Sequence, residues 1–316
     1  MAALSEPKSI AGLPPQHARN PATEAQARAR YFNTGNAFNV ILPDVPNAVF
    51  ADEPARALSE ATETGFIDCD ASNVMQCAFP ATSPLLLARY ARIRGGESLS
   101  CDFNASGIVH HVIAGSGTSE VAGERIAWSP GDVFVTPGGS ELVHTAGDEA
   151  AVLWVVGNDP QLNFENLRAP APGDAPTKIV HYPSDEIDRQ IELIYNVGRG
   201  DEIAGSALIF SSDMQQESRN VLPTLTLAMN SLPAGAVQRP HRHNSVAVSL
   251  VIRGDKCFSM IDGVRKDWAP WATTITPPVA VHSHHNDGDE QAMFLIVQDG
   301  GLFYHARAMG FEFVDA

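Results

Sequence analysis

The sequence of 316 residues has no apolar run long enough to cross a bilayer, and residues 1–26 lack the hydrophobic core of a signal peptide. Basic residues are also few, since 21 lysines and arginines face 37 aspartates and glutamates and the formal net charge is −16. Such a surface repels nucleic acids and anionic membranes, so we expect neither as a partner. These absences predict a cytoplasmic protein, although an acidic chain can still bind an anionic small molecule in a locally basic pocket.

Cysteine is scarce as well. The four cysteines are Cys69, Cys77, Cys101 and Cys257. They lack metal-ligand spacing and are too few for a disulfide framework in a chain of this length, so we predict reduced thiols. Proline and glycine are plentiful, with 22 and 25 residues, and this composition favours many turns over long helices.

Histidine is concentrated in one stretch, where five of the eleven histidines fall between positions 241 and 285. Successive side chains of a strand point to opposite faces, so His241 and His243 share one face while Arg242 points to the other. Further strand and hairpin signals follow, and His282 comes after the last of them. We predict an antiparallel barrel that brings three histidines together from its two ends.

Three imidazoles on one side of a metal ion would leave the opposite coordination positions open, as catalysis requires. A single histidine in a sequence is usually a surface residue with no role in metal binding. Three at a spacing that suits a barrel favour a metal site at His241, His243 and His282. Imidazole suits iron, zinc, copper and nickel alike, so these residues alone do not identify the metal.

The spacing of these residues resembles the two-part signature of the cupin superfamily. The matching positions are Gly235, His241, His243, Gly254, Pro277, His282 and Asn286. Most cupins carry a metal-binding glutamate where this chain has Ala247. A site of three histidines is similar to that of gentisate and salicylate 1,2-dioxygenases, and the motifs HRHNSVAVSLVI, IDGVRKDWAP and TPPVAVHSHHN carry the resemblance over the last third of the chain.

The first half of the chain repeats the second at a spacing near 140 residues, as Trp128-Ser129-Pro130 and Trp268-Ala269-Pro270 illustrate. The chain is thus predicted to be a bicupin. In the first copy the three ligand positions are expected at Asp102, Asn104 and Leu142. An aspartate, an asparagine and a leucine do not form a ligand set equivalent to three imidazoles. We therefore expect only the second copy to bind metal.

The predicted fold is dominated by β structure, with two antiparallel jelly-roll barrels, an N-terminal arm and a helical connecting segment. The predicted boundaries are 1–67 for the arm, 68–160 for the first barrel, 161–213 for the connecting segment and 214–316 for the second barrel. In the arm, Asn20 and Pro21 predict the start of a helix that runs toward Tyr31. In the connecting segment, Ser184 is expected to cap a helix. Its apolar stripe, which should dock on a barrel, is Ile187, Ile191 and Ile194.

The resemblance implies an extradiol-type, ring-cleaving dioxygenase similar to gentisate 1,2-dioxygenase, with ferrous iron held by His241, His243 and His282. The implied substrates are dioxygen and a hydroxylated, in some relatives carboxylated, monocyclic aromatic such as gentisate or a substituted salicylate. His284 matches a family histidine beside the substrate oxygens, where it could take the phenolic proton. A solvent-facing or supporting position is the alternative for His284. The resemblance also implies a homo-oligomer, either a dimer or a tetramer.

Some positions depart from the family pattern. Ser249 stands where relatives that cleave carboxylated phenols have an inward arginine, and Asn230 replaces an inward glutamine. A substrate carboxylate would then need Arg239, which shares the strand parity of His241, or Arg265. Two tryptophans, Trp268 and Trp271, are expected to pack in the core and not to line the pocket.

Two other functions stay open at this point. One is a three-histidine cupin oxygenase that acts on a non-aromatic chelating substrate such as a β-diketone or a thiol. The other is a non-catalytic bicupin that binds a small ligand, although the presence of all three histidines argues against it. The lining of the pocket and a test of oxygen uptake distinguish these alternatives.

Overall fold

The computed structural model describes residues 9–197 and 206–314, and the chain forms two compact units, Met1–Pro43 and Asp44–Ala316. The elements described in the first unit are a 3₁₀ turn (Ile10–Gly12), β1 (Gln16–His17), α1 (Glu24–Ala27) and β2 (Arg30–Tyr31). Strands β1 and β2 pair antiparallel. This unit therefore has a small ribbon of its own.

Helix α1 is shorter than the sequence predicted. The side chain of Thr23, not Asn20, caps the helix and accepts a hydrogen bond from the backbone N–H of Gln26 at 3.2 Å. The helix also stops before Tyr31, because that residue belongs to strand β2. A nearer cap and a competing strand pairing thus determine the limits of α1.

The second unit contains two similar halves. Its first half and the segment before it comprise β3 (Val49–Phe50), α2 (Asp52–Leu58), β4 (Gly65–Asp68), α3 (Ser72–Met75), β5 (Leu87–Ile93), β6 (Ser98–Cys101), β7 (Gly107–Ala114), β8 (Gly117–Val121), β9 (Glu124–Trp128), β10 (Val133–Pro137), β11 (Leu142–Ala146) and β12 (Ala151–Gly157). The connecting segment, of which residues 198–205 lie outside the described residues, comprises α4 (Asp159–Phe164), a 3₁₀ turn (Pro172–Asp174), β13 (Val180–Tyr182) and α5 (Ser184–Tyr195). The second half comprises β14 (Ser206–Phe210), β15 (Thr226–Leu232), β16 (His241–His243), β17 (Ala247–Arg253), β18 (Cys257–Ile261), β19 (Val264–Asp267), β20 (Thr273–Thr276), β21 (His282–Asn286), β22 (Ala292–Gln298), α6 (Gly300–Ala306) and β23 (Phe311–Phe313).

Each half is built from two antiparallel sheets. In the first half a six-stranded sheet, β13-β10-β7-β12-β5-β4, accompanies a four-stranded sheet, β6-β11-β8-β9. In the second half the corresponding sheets are β14-β15-β22-β17-β20-β3 and β19-β18-β21-β16-β23. The predicted pair of jelly-roll halves is confirmed by this arrangement.

Both six-stranded sheets take an edge strand from a distant part of the chain. Strand β13, from the connecting segment, pairs with β10 of the first half. Strand β3 precedes the first half in sequence and yet pairs with β20 of the second half. Residues 49–50, which the sequence placed in the arm, therefore complete the sheet that belongs to the later copy.

The six-stranded sheet of the first half is buried on both faces, as its strand β12 illustrates. Val152, Trp154 and Val156 pack into a core that also contains apolar residues of the second half. Leu153 and Val155 point the other way, into the interior of the first half. The two halves thus share one core through the outer faces of their large sheets.

Thr273 joins the two halves through polar contacts inside this shared core. The indole N–H of Trp154 donates to the Thr273 hydroxyl at 2.9 Å, and the Tyr90 hydroxyl lies 2.7 Å from the same oxygen. The Tyr90 hydroxyl also bonds the backbone carbonyl of Trp271. The side chains of Tyr90, Trp154 and Thr273 are all buried, so these bonds satisfy polar groups that water does not reach.

Helix α5 has the predicted apolar stripe but not the predicted cap. Ile187 and Ile191 are buried, Ile194 is half-buried, and the helix packs against β14, which confirms the predicted docking. The N-cap residue is Pro183, and the backbone N–H of Ser184 donates to the Asp132 carboxylate at 2.8 Å. No described helix of the chain is both long enough and apolar enough to span a bilayer.

The strand registers show which residues of the first half match the predicted ligands. Leu142 pairs with Cys101 in the first half, as His282 pairs with His241 in the second. The counterparts of His241 and His243 are therefore Cys101 and Phe103, and not the predicted Asp102 and Asn104. The conclusion that the first half lacks the ligand set is unchanged.

The reason for this correction is one extra residue in the second half. Thr145 and Leu142 pair with Ser98 and Cys101, so both strands advance by three residues. In the second half His285 bridges Val237 and His282 pairs with His241. An advance of three residues on β21 therefore lies opposite an advance of four residues in the segment from Val237 to His241. The extra residue lies between Val237 and His241 and shifts the repeat from a spacing of 139 to 140.

Candidate metal centre

Three histidines meet on the inner side of the second half. His241 and His243 lie on β16 with Arg242 between them on the exposed side, where it forms an ion pair with Glu312. His282 is the first residue of β21 and pairs directly with His241. The ring centroids are 6.0 Å apart for His241 and His243, 4.2 Å for His241 and His282, and 4.8 Å for His243 and His282. One ligating nitrogen of each lies within 4.8 Å of the others, a grouping that the described residues show only here.

Each of the three imidazoles is oriented in the same way, by a hydrogen bond from Nδ1 to a backbone carbonyl two residues away. The acceptors are the carbonyls of Arg239, Ser245 and Ala280, each at 2.9 Å. A ring that donates through Nδ1 keeps the lone pair on Nε2, which is the form that binds a metal. The backbone thus sets the tautomer of all three side chains before any ion binds.

Burial lowers the pKa of all three imidazoles. The pKa of His282 falls to about 2, because desolvation is reinforced by neighbouring histidines, and the pKa values of His241 and His243 are lowered by desolvation as well. The rings are therefore neutral near pH 7. Neutral imidazole is the state that ligates a metal, so no proton must be displaced.

A cavity of about 750 Å³ opens in front of these rings. Six residues singled out from the sequence line it: Asn230, His241, His243, Ser249, His282 and His284. Ala247, at the position of the usual cupin glutamate, also faces it. A divalent ion held here would keep its full charge, since no carboxylate stands among the ligands.

Neither arginine proposed for a substrate carboxylate lies on the cavity wall. Arg265 stacks on Phe258 at 3.6 Å and pairs with Asp267 at 2.7 Å, on the outer edge strand β19. The guanidinium of Arg239 lies 4.3 Å above the Phe313 ring. Strand parity alone placed Arg239 beside His241, but β16 begins at His241, so the alternation of side chains does not extend to Arg239.

His284 is held by a chain of two hydrogen bonds behind the cavity. The indole N–H of Trp268 donates to the Ser259 hydroxyl at 2.9 Å, and that hydroxyl lies 2.8 Å from Nδ1 of His284. A serine oxygen that accepts from the indole has its own O–H left to donate to Nδ1. Donation of that O–H to Nδ1 would place the proton of the neutral imidazole on Nε2 and make His284 a donor, and burial lowers its pKa to about 3.

Two neighbours of His284 lie away from the cavity. The ring of His285 stacks on Phe258 at 4.4 Å, and its Nε2 lies 2.9 Å from the Ser283 hydroxyl. Asn286 donates to the carbonyls of Leu232, Pro233 and Glu290 and accepts from Gly288. Of the two roles open for Asn286, the structure supports fixing the turn. Neither tryptophan, Trp268 or Trp271, is among the lining residues, as predicted.

Several lining residues were not singled out from the sequence. Gln298 ends the apolar strand β22, and its amide nitrogen lies 3.3 Å from Nε2 of His243. Phe311 comes from β23, with its ring centroid 5.3 Å from that of His241. Arg219 belongs to the loop between β14 and β15. A glutamine in an otherwise apolar strand was a usable signal, whereas nothing in the local pattern marked the other two.

No protein-family model matches the chain. Over 79 residues it is 38% identical to 5-aminosalicylate 1,2-dioxygenase from Comamonas, a match that covers 25% of this chain and 21% of the relative. Over 127 residues it is 26% identical to gentisate 1,2-dioxygenase from Ralstonia, which covers 40% of this chain and 31% of the relative. The matched segments thus span between a fifth and a third of these relatives.

Solved structures resemble a much larger part of the chain. Salicylate 1,2-dioxygenase from Pseudaminobacter salicylatoxidans superposes with a TM-score of 0.72 at 15% identity, over 88% of this chain and 91% of that one. A cupin 2 conserved barrel domain protein from Leptotrichia buccalis gives a TM-score of 0.51 at 11% identity, over 81% and 99% of the two chains. At identities this low the similarity shows the fold alone, and this fold is the predicted bicupin fold.

Proposed function

We propose that the protein is a ferrous-iron-dependent dioxygenase that cleaves the ring of a hydroxylated aromatic compound. The observation that carries this proposal is the set of three uncharged imidazoles, His241, His243 and His282, whose Nδ1 atoms are bound to backbone carbonyls in front of a cavity. The partial similarity to 5-aminosalicylate and gentisate 1,2-dioxygenases supports the same class of reaction.

The residues present suit a divalent metal. Three nitrogen donors on one side leave room for a bidentate substrate and dioxygen, and Ala247 contributes no negative charge to offset that of the ion. An anionic phenolate is therefore attracted to this end of the cavity. Bound ferrous iron would supply the redox chemistry that activates dioxygen next to the ring.

Within the cavity, His284 is assigned the role of a hydrogen-bond donor through Nε2. The Ser259 contact and the lowered pKa favour a donor over the base suggested by the sequence, because a ring with Nε2–H and a pKa of about 3 does not take up a proton near pH 7. It would instead stabilise a negatively charged substrate oxygen. Asn230 and Ser249 offer neutral polar contacts farther along the wall.

The term extradiol does not fit a 1,2-cleavage of a salicylate. That term describes substrates with two adjacent hydroxyl groups. A salicylate has one ring hydroxyl beside a carboxyl-bearing carbon, so a 1,2-cleavage lies between those two carbons. The position of cleavage for this protein therefore follows from its substrate.

The apolar part of the cavity wall favours an aromatic over a small non-aromatic chelator. Ile209, Ile296 and Phe311 contribute flat or branched apolar surface to the wall of the same cavity. A non-catalytic role in ligand binding would not need three imidazoles in one tautomer.

A homo-oligomer stays a prediction, and the four free cysteines support the cytoplasm as the compartment.

The test is metal analysis followed by oxygen uptake. Protein purified without air should contain about one equivalent of iron or bind it on addition, and oxygen consumption should then depend on a phenolic substrate. A panel of gentisate, substituted salicylates, a β-diketone and a thiol distinguishes the candidate substrate classes. Iron-loaded protein that consumes no oxygen with any of them would refute the proposal.

A further inference from the structure

Strand β22 ends with one polar side chain in the wall of the cavity. The residues from Ala292 to Val297 are apolar, and Gln298 is the last residue of the strand. β22 lies between β15 and β17, where Gln298 pairs with Thr226 on one side and with Ala247 on the other. Directly paired residues of neighbouring strands turn their side chains to the same face of a sheet. All three accordingly line the cavity.

The pairing with Ala247 brings an amide to the place of an absent carboxylate. Ala247 stands at the position of the metal-binding glutamate of most cupins, and its methyl group has no atom that could bind an ion. Its neighbour across the strands is Gln298, a side chain as long as that of glutamate. The amide nitrogen of Gln298 lies 3.3 Å from Nε2 of His243, so this side chain extends as far as the candidate ligands.

The amide of Gln298 faces His243 with its N–H group. Nδ1 of His243 donates to the Ser245 carbonyl at 2.9 Å, so Nε2 carries a lone pair that accepts from the amide. A metal ion would bind through the same lone pair. At 3.3 Å this hydrogen bond is longer than most, so little free energy is lost when it is broken.

Thr226 can support the amide of Gln298 in either orientation. Its hydroxyl donates to Oε1 of Gln298 at 3.5 Å. A hydroxyl both donates and accepts, so the same group can accept from the amide N–H instead. The terminal torsion of a glutamine side chain is broad, and a half-turn exchanges the positions of its oxygen and nitrogen. Gln298 can therefore turn its carbonyl oxygen toward the three histidines and keep Thr226 as a partner.

We propose that Gln298 is a fourth protein ligand of the metal centre, through its amide carbonyl oxygen, in place of the glutamate of most cupins. This inference rests on the metal site of the proposed function. An amide N–H that points at a cation is repelled and a carbonyl oxygen is attracted, so the charge of the ion selects the second orientation. Because the amide is neutral, the ion keeps its full charge.

A neutral ligand of this kind is exchangeable. An anionic phenolate is attracted to a divalent ion more strongly than an amide oxygen is, so the substrate displaces Gln298. The position that Gln298 leaves is then one of those that a bidentate substrate needs. Gln298 thus closes the metal centre before the substrate binds and opens it afterwards.

The first test measures zinc binding by calorimetry, because Zn²⁺ binds nitrogen and oxygen donors and undergoes no redox chemistry. We expect Gln298→Leu to weaken zinc binding by about threefold or more. Gln298→Glu should strengthen it by about tenfold, since a carboxylate adds charge to the same contact. The control is Gln238→Leu, which removes the other glutamine among the described lining residues and should leave zinc affinity unchanged.

The second test is a crystal structure of the zinc-loaded wild type, which depends on no variant. Oε1 of Gln298 should lie about 2.0–2.2 Å from the ion. A water molecule in that position, with the amide turned away, would overturn the proposal. A Gln298→Leu variant that binds zinc as tightly as the wild type, or more tightly, would overturn it as well.

Exchange is tested by salicylate binding to the zinc-loaded proteins. Salicylate should bind Gln298→Leu at least as tightly as the wild type, because no amide has to be displaced. It should bind Gln298→Glu about tenfold more weakly, because a carboxylate cancels part of the charge of the ion and competes with the anion. Equal salicylate affinity in Gln298→Glu and the wild type would overturn the exchange.

These experiments separate the inference from the proposed function. Zinc bound without Oε1 of Gln298, together with phenol-dependent oxygen uptake by the iron-loaded protein, would refute the fourth ligand and leave the dioxygenase assignment in place. Zinc bound through Gln298, without oxygen uptake by the iron-loaded protein, would support the fourth ligand and refute the assignment. A wild type that binds neither zinc nor iron would refute both.

Discussion

His144 and His284 make the same hydrogen bond in the two halves of the chain. Nδ1 of His144 lies 2.7 Å from the Ser119 hydroxyl, which accepts from the indole of Trp128 at 2.8 Å, at positions 140 residues before their counterparts. His144 is fully buried, and its Nε2 has no hydrogen-bond partner among the residues that the structure describes. The tryptophan–serine–histidine chain is therefore part of the repeated framework, and in the second copy its histidine lines the cavity in front of the candidate metal ligands.

Removal of one imidazole should abolish metal binding. In His282→Ala the two remaining ligands cannot complete the site, and we expect iron content and oxygen uptake to fall by about tenfold or more. Iron analysis of protein purified under argon checks this. His285→Ala is the control, since that ring stacks on Phe258 away from the cavity and should leave the iron content unchanged.

Ser259→Ala should affect both stability and activity. It leaves the Trp268 indole and Nδ1 of His284 without their partner, at a cost of about 1–3 kcal/mol in the free energy of unfolding. It also frees the tautomer of His284, so oxygen uptake should fall further than stability explains. Ser119→Ala is matched in burial and contacts, and it should destabilise the protein without a change in activity per folded molecule.

Asp299 should make the stability of the folded protein fall as the pH rises from 4 to 7. Burial raises its pKa to about 7 from 3.8, although its carboxylate accepts a hydrogen bond from the backbone N–H of Val246 at 2.9 Å. Below pH 4 the carboxyl is protonated in both the folded and the unfolded chain. As the pH rises toward 7 the unfolded chain ionises first, so the folded state loses stability.

Asp299→Asn keeps the acceptor for Val246 and removes this ionisation. Its stability should equal that of the wild type near pH 4 and exceed it above pH 7, by at most about 4 kcal/mol at 1.36 kcal/mol per pKa unit. Chemical denaturation at several pH values measures the difference. The exposed Asp289→Asn serves as control, and a gain of the same size at every pH would contradict the prediction.

Thr273→Val should weaken the contact between the two halves. Valine has the shape of threonine but leaves the Trp154 indole without an acceptor, which costs about 1–3 kcal/mol. Thr273→Ser keeps the hydroxyl and should lose less. A single unfolding transition at lower denaturant is expected for the valine variant, and unchanged stability would show that the Trp154 bond is dispensable.

The parts of the structure that were predictable from the sequence depend on period and repetition. Strand alternation placed His241 and His243 on one face. The repeat predicted the bicupin. Each of these signals is local or is carried by the spacing of similar motifs, so a single sequence contains it.

The residues that the sequence misplaced or missed have two physical causes. One extra residue between Val237 and His241 moved the first-half counterparts by one position. Arg239 precedes strand β16, so strand alternation did not determine the direction of its side chain. The position of Arg219 depends on a loop whose path is set by contacts with distant segments, such as the Pro176 carbonyl. No periodic pattern in a sequence reports such contacts.

Strand β3 makes the half that contains the three histidines dependent on a segment more than 150 residues upstream of it in the chain. A truncated polypeptide that begins at the second half would lack this edge strand. It would also expose the apolar outer face of its six-stranded sheet, which the first half covers in the full chain. We therefore expect the second half to need the first half and strand β3 for its stability.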